Sequence, residues 1–304
     1  MGIRRRLFQA GALALFATIL ALGAGCLWDG AVGRAREGNT HLMAGELDEA
    51  IAAYDGAIER DPELSEAHNN RGLAYAHKGE FALAIESYDL AIRFDPESAA
   101  AHNNRGNAFA GQGEYDRALW DYHEAVRLDP QWAQVYSNRG WAYARKGEYQ
   151  RAIEDYDTAI GLDPDFPQAY SNRGNARARL GEHDQAIEDF SQAIRLNPES
   201  AAAYNNRGAS HTERGEVDRA IEDYEAAMRL DPAWAAPFYN RGNVHHDQGA
   251  YDQAISDYSV AIILDPGDAE IYCYRSRAFS ASGDERRAEE DRSAAVALGH
   301  DCKR

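Results

Sequence analysis

Cysteine is scarce in this chain of 304 residues, which has only Cys26, Cys273 and Cys302. No two of them show the close CxxC spacing typical of zinc sites and dithiol redox sites. The usual catalytic and nucleotide-binding motifs are also missing: there is no phosphate loop, no GxGxxG turn after a strand, no HExxH, no GxSxG and no Cys–His nucleophile pair. We therefore predict no metal, no cofactor and no enzymatic activity.

Basic residues are in deficit. Lysine and arginine number 32 against 50 acidic residues, which gives a formal net charge of −18. This sign is wrong for collecting phosphates by counterion release, so nucleic acid is excluded as an expected partner. Hydrophobic residues make up 44% and charged residues 27% of the chain, so there is enough apolar material to bury and we expect a folded protein.

Charge is absent from one long segment near the N-terminus. After Arg4, Arg5 and Arg6, the chain runs from Leu7 to Trp28 without a charged residue. A basic start, an apolar stretch and small residues are typical of an export signal. Because basic residues stay on the cytoplasmic side, residues 1–28 predict a signal peptide or membrane anchor that leaves the rest of the chain outside the cytoplasmic membrane, in the periplasm or facing the cell surface.

The form of this anchor has three alternatives. The segment Leu22-Gly23-Ala24-Gly25-Cys26 resembles the lipobox of bacterial lipoproteins, which implies lipidation of Cys26 after cleavage, although lipoboxes usually carry Leu where this chain has Gly23. An uncleaved helix is the second alternative, since a stretch of this length at about 1.5 Å per residue would just cross a hydrocarbon core of about 30 Å. The segment Arg5-Arg6-Leu7-Phe8 also resembles part of a twin-arginine export signal.

The rest of the sequence repeats itself every 34 residues. The tripeptide Asn-Arg-Gly recurs at this step six times, from 70–72 to 240–242. With the glycine set as position 8, eight repeats fill residues 31–302 and begin at 31, 65, 99, 133, 167, 201, 235 and 269. A fixed period of this length predicts a stack of similar supersecondary units rather than separate globular domains.

Each repeat predicts a hairpin of two helices. Position 15 is Gly in all eight repeats, and positions 20 and 27 are always Ala. Position 24 is aromatic seven times, and positions 31 and 32 read Asp-Pro or Asn-Pro seven times. Gly at 15 ends a first helix of about positions 2 to 14, and Asp-Pro stops a second of about 18 to 30. Small residues allow close helix packing, and the aromatics fill the space between hairpins.

This pattern resembles the tetratricopeptide repeat over about nine tenths of the chain. The resemblance implies an all-α, right-handed solenoid of helix–turn–helix units that serves as a non-enzymatic scaffold for other proteins or peptides. One column departs from the family: position 7, usually Leu, is Arg in repeats 2 to 8, from Arg71 to Arg275. Repeats 3 to 8 carry Asp at position 23, whereas repeat 1, without the Arg, has Ala53. We expect an Arg–Asp pair between the facing helices of each unit.

The resemblance also implies a concave groove lined by positions 2, 5, 6, 9, 12 and 13 of the first helices. Position 6 is Asn in six successive repeats: Asn70, Asn104, Asn138, Asn172, Asn206 and Asn240. This row resembles the asparagine ladder by which some family members hold a ligand backbone, since a carboxamide both donates and accepts. The alternative is that these side chains brace adjacent repeats. Position 13 changes from Arg145 and Arg179 to Glu213 and Asp247, which predicts a dipolar ligand.

Two further groups of residues, the C-terminal cysteines and the histidines at position 11, each have two interpretations. Cys273 and Cys302 come from neighbouring ends of the last hairpin and predict either a disulfide or two free thiols. His211 and His245 occupy position 11, usually an inward Tyr, so packing is favoured over a metal site. The function expected is an adaptor in the cell envelope that binds proteins in its groove. The alternatives are a self-associating structural scaffold and an enzyme with a centre in the groove, and nothing in the sequence identifies the partner.

Overall fold

The computed structural model describes residues 30–302, and in this range it contains helices and turns but no strand. Contacts between Cα atoms divide the chain into two compact units, Met1–Lys146 and Gly147–Arg304, which are described separately. The all-α architecture of repeated helical hairpins that the sequence predicts is confirmed. The N-terminal segment 1–28, with Cys26, lies outside the described residues.

Sixteen helices are described. In the first unit they are α1 (30–44), α2 (Leu47–Arg60), α3 (Ser65–His77), α4 (Phe81–Phe94), α5 (Ala99–Gly111), α6 (Tyr115–Leu128) and α7 (Ala133–Arg145). In the second unit they are α8 (Tyr149–Leu162), α9 (Pro167–Arg179), α10 (His183–Leu196), α11 (Ala201–Glu213), α12 (Val217–Leu230), α13 (Ala235–Asp247), α14 (Tyr251–Leu264), α15 (Ala269–Ala281) and α16 (Glu285–Ala297). From α3 onward, a first helix spans positions 1–13 and most second helices span positions 17–30, one residue earlier at the start than the sequence predicts.

The glycine at position 15 makes the turn inside each repeat. All eight of these glycines have a positive φ, from 70° at Gly215 to 89° at Gly283. No other residue type has a positive φ in the described part of the chain. A side chain at this conformation would be strained, which explains why every repeat has Gly there.

The Asp or Asn at position 31 makes the turn between repeats. The residue two positions later donates its backbone N–H to this side chain in all seven inter-repeat turns, for example Glu63 to Asp61 at 3.1 Å and Glu199 to Asn197 at 3.2 Å. Such a bond replaces a backbone turn bond that the following Pro cannot supply. The side chain therefore ends one hairpin and sets the direction of the next.

Within each unit the first helices form one row. Helix α5 has Cα atoms within 8 Å of both α3 and α7, and α11 and α13 approach their neighbouring first helices in the same way. Second helices in the described part of the chain make no comparable contact with one another. The first helices of each unit therefore form its closely packed inner row. The helix faces that this packing leaves exposed form the groove of that unit.

An aromatic ring and a glycine interlock inside each hairpin. The position-24 ring is almost completely buried and lies against the position-8 glycine of the same repeat, as Tyr88 does against Gly72. A Cβ at Gly72 would lie 2.6 Å from that ring. In repeat 8 the two positions change together, to Ser276 and Arg292, and Arg292 bonds Glu285 and Glu289 instead of filling a core.

The Arg–Asp pair is confirmed in both units. Arg105 donates from Nε and Nη2 to the two oxygens of Asp121 at 2.9 and 2.7 Å, and the Asp121 side chain is fully buried. The same two-bond pairing joins Arg173, Arg207, Arg241 and Arg275 to Asp189, Asp223, Asp257 and Asp291. The hydrogen bonds that Arg207 and Arg241 donate to Asp223 and Asp257 raise the pKa of both arginines despite their burial.

The remaining guanidinium nitrogen, Nη1, reaches the previous repeat. In Arg105 it donates to Asp89 at 2.6 Å, and in Arg207 it donates to Ser191 at 3.0 Å. Both acceptors lie sixteen residues earlier, at position 25. Each of these arginines therefore links the second helix of its own repeat to the second helix of the preceding repeat, a contact that the sequence pattern does not predict.

No helix among residues 30–302 is both long and apolar enough to cross a membrane.

Candidate functional site

The inner row of the second unit carries a groove with two adjoining sections. Both are lined by the first-helix positions named in the sequence analysis, chiefly 6, 9, 12 and 13. Ala209 and Glu213 on α11 belong to both sections, so the two are continuous. We call them the arginine section and the tyrosine section.

The arginine section lies between α9 and α11 and has a volume of about 610 Å³. Arg179 and Asn175 line it from α9, and Asn206 lines it from α11. Arg179 stacks over the ring of Tyr149, with its guanidinium carbon 5.8 Å from the ring centroid. This contact holds the cation at the groove.

The tyrosine section lies between α11 and α13 and has a volume of about 410 Å³. Asn240 lines it, and so do the carboxylates of Glu213 and Asp247. The rings of Tyr224, Tyr258 and Tyr274 are also part of its lining. The change from a basic to an acidic position 13 is therefore present along one continuous groove.

The inner row of the first unit carries an aromatic cluster. The guanidinium of Arg145 lies 5.5 Å from the ring of Trp141 and 5.7 Å from the ring of Tyr115. The two rings contact each other edge to face at 5.9 Å. Trp141 is 38% exposed and stands at position 9 of the inner face. Arg145 and Arg179 thus share one arrangement, in which position 13 stacks on position 17 of the preceding repeat.

The asparagines of the first unit form one chain of side-chain hydrogen bonds, in which each Nδ2 donates to the next Oδ1. Its members, from α7 to α1, are Asn138, Asn103, Asn104, Asn69, Asn70 and Asn39. The five distances lie between 2.9 and 3.3 Å. The Tyr54 hydroxyl donates to the last oxygen, Asn39 Oδ1, at 2.8 Å.

A shorter chain of the same kind runs through the second unit. Asn240 donates to Asn205 at 2.9 Å, Asn205 to Asn206 at 3.1 Å, and Asn206 to Asn175 at 2.9 Å. These are the bonds expected of a brace between repeats. Each Nδ2 carries two hydrogens, so the second hydrogen is what a ligand can still receive. Asn172 is half-buried on α9 and is not part of either groove section.

The histidines at position 11 are packing residues. His211 is buried, its Nδ1 lies 2.7 Å from Glu216, and its Nε2 lies 3.8 Å from Asp223. Burial lowers the pKa of His245, whose Nε2 lies 3.8 Å from Asp257. Among residues 30–302, no group of three or more His, Cys, Asp or Glu side chains is arranged to hold a metal ion.

The structure joins Cys273 and Cys302 by a disulfide bond, with their Cα atoms 5.3 Å apart. Cys273 is buried at position 5 of the last repeat. In earlier repeats this position accepts a bond from the next repeat, as Asn205 does from Asn240. The disulfide therefore places Cys302 against the position that accepts this bond in an earlier repeat.

Comparison with known families decides the identity of the fold. A profile described as the tetratricopeptide repeat matches residues 36–99, 171–234 and 213–269, and one described as the TPR repeat matches 106–147 and 142–181. The chain belongs to the tetratricopeptide repeat family. It is a scaffold of the TPR type and resembles TPR proteins that take part in protein interactions. The TPR fold is typically non-catalytic. No curated protein matches it.

Three solved structures are similar to this TPR chain. A tetratricopeptide repeat protein from Parabacteroides merdae is 19% identical, with a TM-score of 0.64 over 83% of this chain and 99% of that one. The Cut9–Hcn1 hetero-tetramer of APC/C gives 19% identity and a TM-score of 0.63 over 83% of this chain, which spans 50% of that chain. These two likenesses concern the fold alone. YrrB, a TPR protein with an unusual peptide-binding site, is 25% identical, with a TM-score of 0.52 over 66% of this chain and 99% of its own.

Proposed function

We propose that this TPR chain is a non-enzymatic scaffold that binds an extended segment of another protein in the groove of the second unit. The observation that carries the proposal is the continuity of the arginine and tyrosine sections through Ala209 and Glu213. A continuous groove along neighbouring first helices suits an extended chain better than a compact ligand. The peptide-binding site named for YrrB supports the same use of the fold.

The chemistry of the groove supports a peptide. Asn206 and Asn240 each use one amide hydrogen in the brace between repeats, which leaves the second for a ligand carbonyl. The brace also fixes the orientation of these side chains before a ligand arrives, so less entropy is lost on binding. Arg179, held by Tyr149, would pair with an acidic group of the segment.

We further propose that the scaffold works in the cell envelope, outside the cytoplasmic membrane. This part of the proposal rests on the sequence of residues 1–28: three arginines, an uncharged stretch from Leu7 to Trp28, and small residues before Cys26. The partners are therefore proteins of the same compartment, and the N-terminus is the only membrane contact proposed.

The test is site-specific photo-crosslinking with the full-length chain in living cells. A photo-reactive amino acid replaces Asn175, which is exposed in the arginine section, and in a second strain replaces Glu188, which is exposed on α10 outside the groove. We expect discrete adducts with other proteins at 175 and not at 188. Adducts consisting of two copies of this chain would instead support the self-associating scaffold.

Charge-reversal variants then test whether the adducts form in the groove. Arg179→Glu should abolish crosslinking from position 175, because it repels the acidic group that Arg179 would hold. Arg229→Glu makes the same charge change at an exposed position on α12 and should leave crosslinking intact. Equal adducts in both variants, or equal adducts from 175 and 188, would overturn groove binding.

A further inference from the structure

The disulfide bond between Cys273 and Cys302 encloses the whole last hairpin. Cys273 lies near the start of α15, and Cys302 lies beyond the end of α16 at Ala297. The two cysteines are 29 residues apart in the chain, so both helices lie inside the closed loop. Closing a loop removes conformations from the unfolded hairpin and thereby favours the folded one. The bond is therefore placed to hold repeat 8 together.

Apart from this bond, the second helix of repeat 8 is weakly attached. Among the described helices, α16 contacts only α15, whereas α14 contacts both α13 and α15. The buried residues of α16 are Ala288, Asp291 and Ala295. Arg292 stands where α14 buries the ring of Tyr258, and two alanine methyl groups remove far less apolar surface from water than that ring does. The attachment of α16 therefore depends on the disulfide more than that of α14 depends on any single contact.

The two bonded cysteines differ in their access to solvent. Cys273 is 2% exposed, whereas Cys302 is partly exposed and lines a cavity of about 650 Å³. The other lining residues of this cavity belong to α16 and to residues 299–301. A thiolate must reach the sulfur atom that it attacks, so a reductant can approach the bond from the side of Cys302. Reduction of the bond therefore does not require the array to unfold first.

Helix α15 connects the disulfide to the groove. The residue after Cys273 is Tyr274, whose ring is part of the lining of the tyrosine section. That ring contacts the ring of Tyr239 edge to face at 5.3 Å and lies 6.2 Å from the ring of Tyr258. Helix α15 contacts α13, α14 and α16, so opening of α16 removes one of its three neighbours. Tyr274 would then lose part of the support that fixes it at the end of the groove.

We propose that the Cys273–Cys302 bond is a redox switch for the end of the groove. The oxidised form holds α16 on α15 and fixes Tyr274, and the reduced form lets repeat 8 open locally. Opening of repeat 8 is independent of any ligand, whereas its effect on binding rests on the proposed function.

The reductant is a dithiol. Its first thiolate attacks Sγ of Cys302, the S–S bond breaks, and Cys273 leaves as a thiolate that takes up a proton. The second thiol of the reductant then displaces Cys302, which also becomes a thiol. Two electrons have reached the chain, and the dithiol has been oxidised to a disulfide.

Hydrogen exchange of the full-length chain, followed by mass spectrometry, tests the opening of repeat 8. Dithiothreitol should reduce the bond in the folded chain, as thiol alkylation measures. Amide exchange in α15 and α16 should then accelerate about ten- to a hundredfold, while exchange in α11 and α12 stays the same. Cys302→Ser should show the fast exchange without a reductant. Cys26→Ser is the matched control, because it keeps the bond and should behave like the parent chain.

Two results would overturn the switch. If dithiothreitol reduced the bond only after urea had unfolded the chain, the disulfide would be purely structural. If the reduced chain exchanged in α15 and α16 as slowly as the oxidised chain, the bond would not be what holds repeat 8 closed.

Photo-crosslinking in cells then tests the effect on the groove. A photo-reactive amino acid in place of Asp247, which is exposed in the tyrosine section, should lose most of its adducts when combined with Cys302→Ser. Adducts from position 175 in the arginine section should persist in the same background. Equal adducts from position 247 with and without Cys302→Ser would refute control of the groove. Absence of adducts from both positions in the parent chain would overturn the proposed function, and hydrogen exchange would still decide whether reduction opens repeat 8.

Discussion

Arg207 donates two hydrogen bonds, of 2.8 and 2.7 Å, to the carboxylate of Asp223, sixteen residues later in the chain. Asp223 is only 5% exposed, and among residues 30–302 Arg207 is the one arginine in a salt bridge with it, while the imidazole of His211 lies 3.8 Å away. Asp189 holds the same position one repeat earlier but accepts from two arginines, Arg173 and Arg177. Asp189 therefore has a second arginine, whereas Asp223 has only a more distant imidazole besides Arg207.

This difference gives the first prediction. Arg207→Leu should lower the free energy of unfolding by about 3–5 kcal/mol, the usual cost of stranding a buried charge, and Arg173→Leu should cost clearly less because Arg177 still bonds Asp189. Urea unfolding followed by circular dichroism measures both. The double variant Arg207→Leu/Asp223→Ala should recover part of the loss. Equal costs for the two single variants would contradict the role of Arg177 as a second partner of Asp189.

The asparagine chain of the second unit gives another prediction. Asn205 is buried and sits between Asn240 and Asn206, whereas Asn175 is the exposed acceptor at the end. Asn205→Ala leaves one donor and one acceptor without partners and should cost about 1–3 kcal/mol. Asn175→Ala leaves only one exposed donor and should cost less. Unfolding in urea compares them, and an equal cost would mean that the chain of bonds is not structural.

Two helical glycines should respond to alanine with opposite signs. A Cβ at Gly174 would lie 2.9 Å from the ring of Phe190, whereas a Cβ at Gly161 would meet nothing within 4 Å. Gly161→Ala should stabilise the chain by about 0.5–1 kcal/mol through helix propensity. Gly174→Ala should destabilise it by about 1–3 kcal/mol through overpacking. Melting temperatures check the signs, and two changes in the same direction would refute the packing argument.

Alkaline pH should unfold the chain through its buried tyrosines. Burial raises the pKa of Tyr54 and Tyr224 to about 12, against 10 when exposed. A group whose folded pKa is raised stabilises the fold fully below the unfolded pKa, so this stability is lost as pH rises from about 10 to about 12. Circular dichroism and tyrosinate absorbance against pH should change together. Tyr224→Phe, which copies Phe190 one repeat earlier, should shift the transition to higher pH.

The location can be tested at the N-terminus. If Cys26 is lipidated, the chain should incorporate a clickable fatty-acid analogue in a bacterial host, and Cys26→Ser should abolish the label. The mass of the purified N-terminus distinguishes a chain that begins at residue 26 from an uncleaved anchor. A full-length chain that stays in the cytoplasm would refute the envelope proposal.

The periodic features of the fold were predictable because each depends on a residue type that recurs at a fixed position. Gly at position 15, the position-24 ring and the Arg–Asp pair all follow from reading repeats against one another. The Arg–Asp pair was found because repeat 1 lacks both members, with Glu37 and Ala53 at those positions. When one repeat lacks both members of a pair, the sequence indicates that the two positions depend on each other. The spacing between the positions does not show this by itself.

Contacts between repeats were harder to predict because the partner column is chemically mixed. Position 25, which receives Nη1 of the arginines, is Asp89 in one repeat, Ser191 in another and Glu225 in a third, so it shows no single residue type. In the second unit, positions 6, 9, 12 and 13 line the groove sections, and ligand binding there stays a prediction. For the asparagines, the sequence left ligand binding and bracing of adjacent repeats as alternatives, because a carboxamide satisfies a neighbour and a ligand equally well.

The asparagine chains have a consequence for how the length of such a protein can change. Each link between repeats runs from position 6 to position 5 or 9 of the preceding repeat, and the remaining links join positions 5 and 6 of one repeat. Duplication or loss of a block of 34 residues preserves the sequence of donors and acceptors, whereas a block of any other size leaves an amide facing the wrong neighbour. The groove can therefore be lengthened or shortened with these hydrogen bonds intact only by whole repeats.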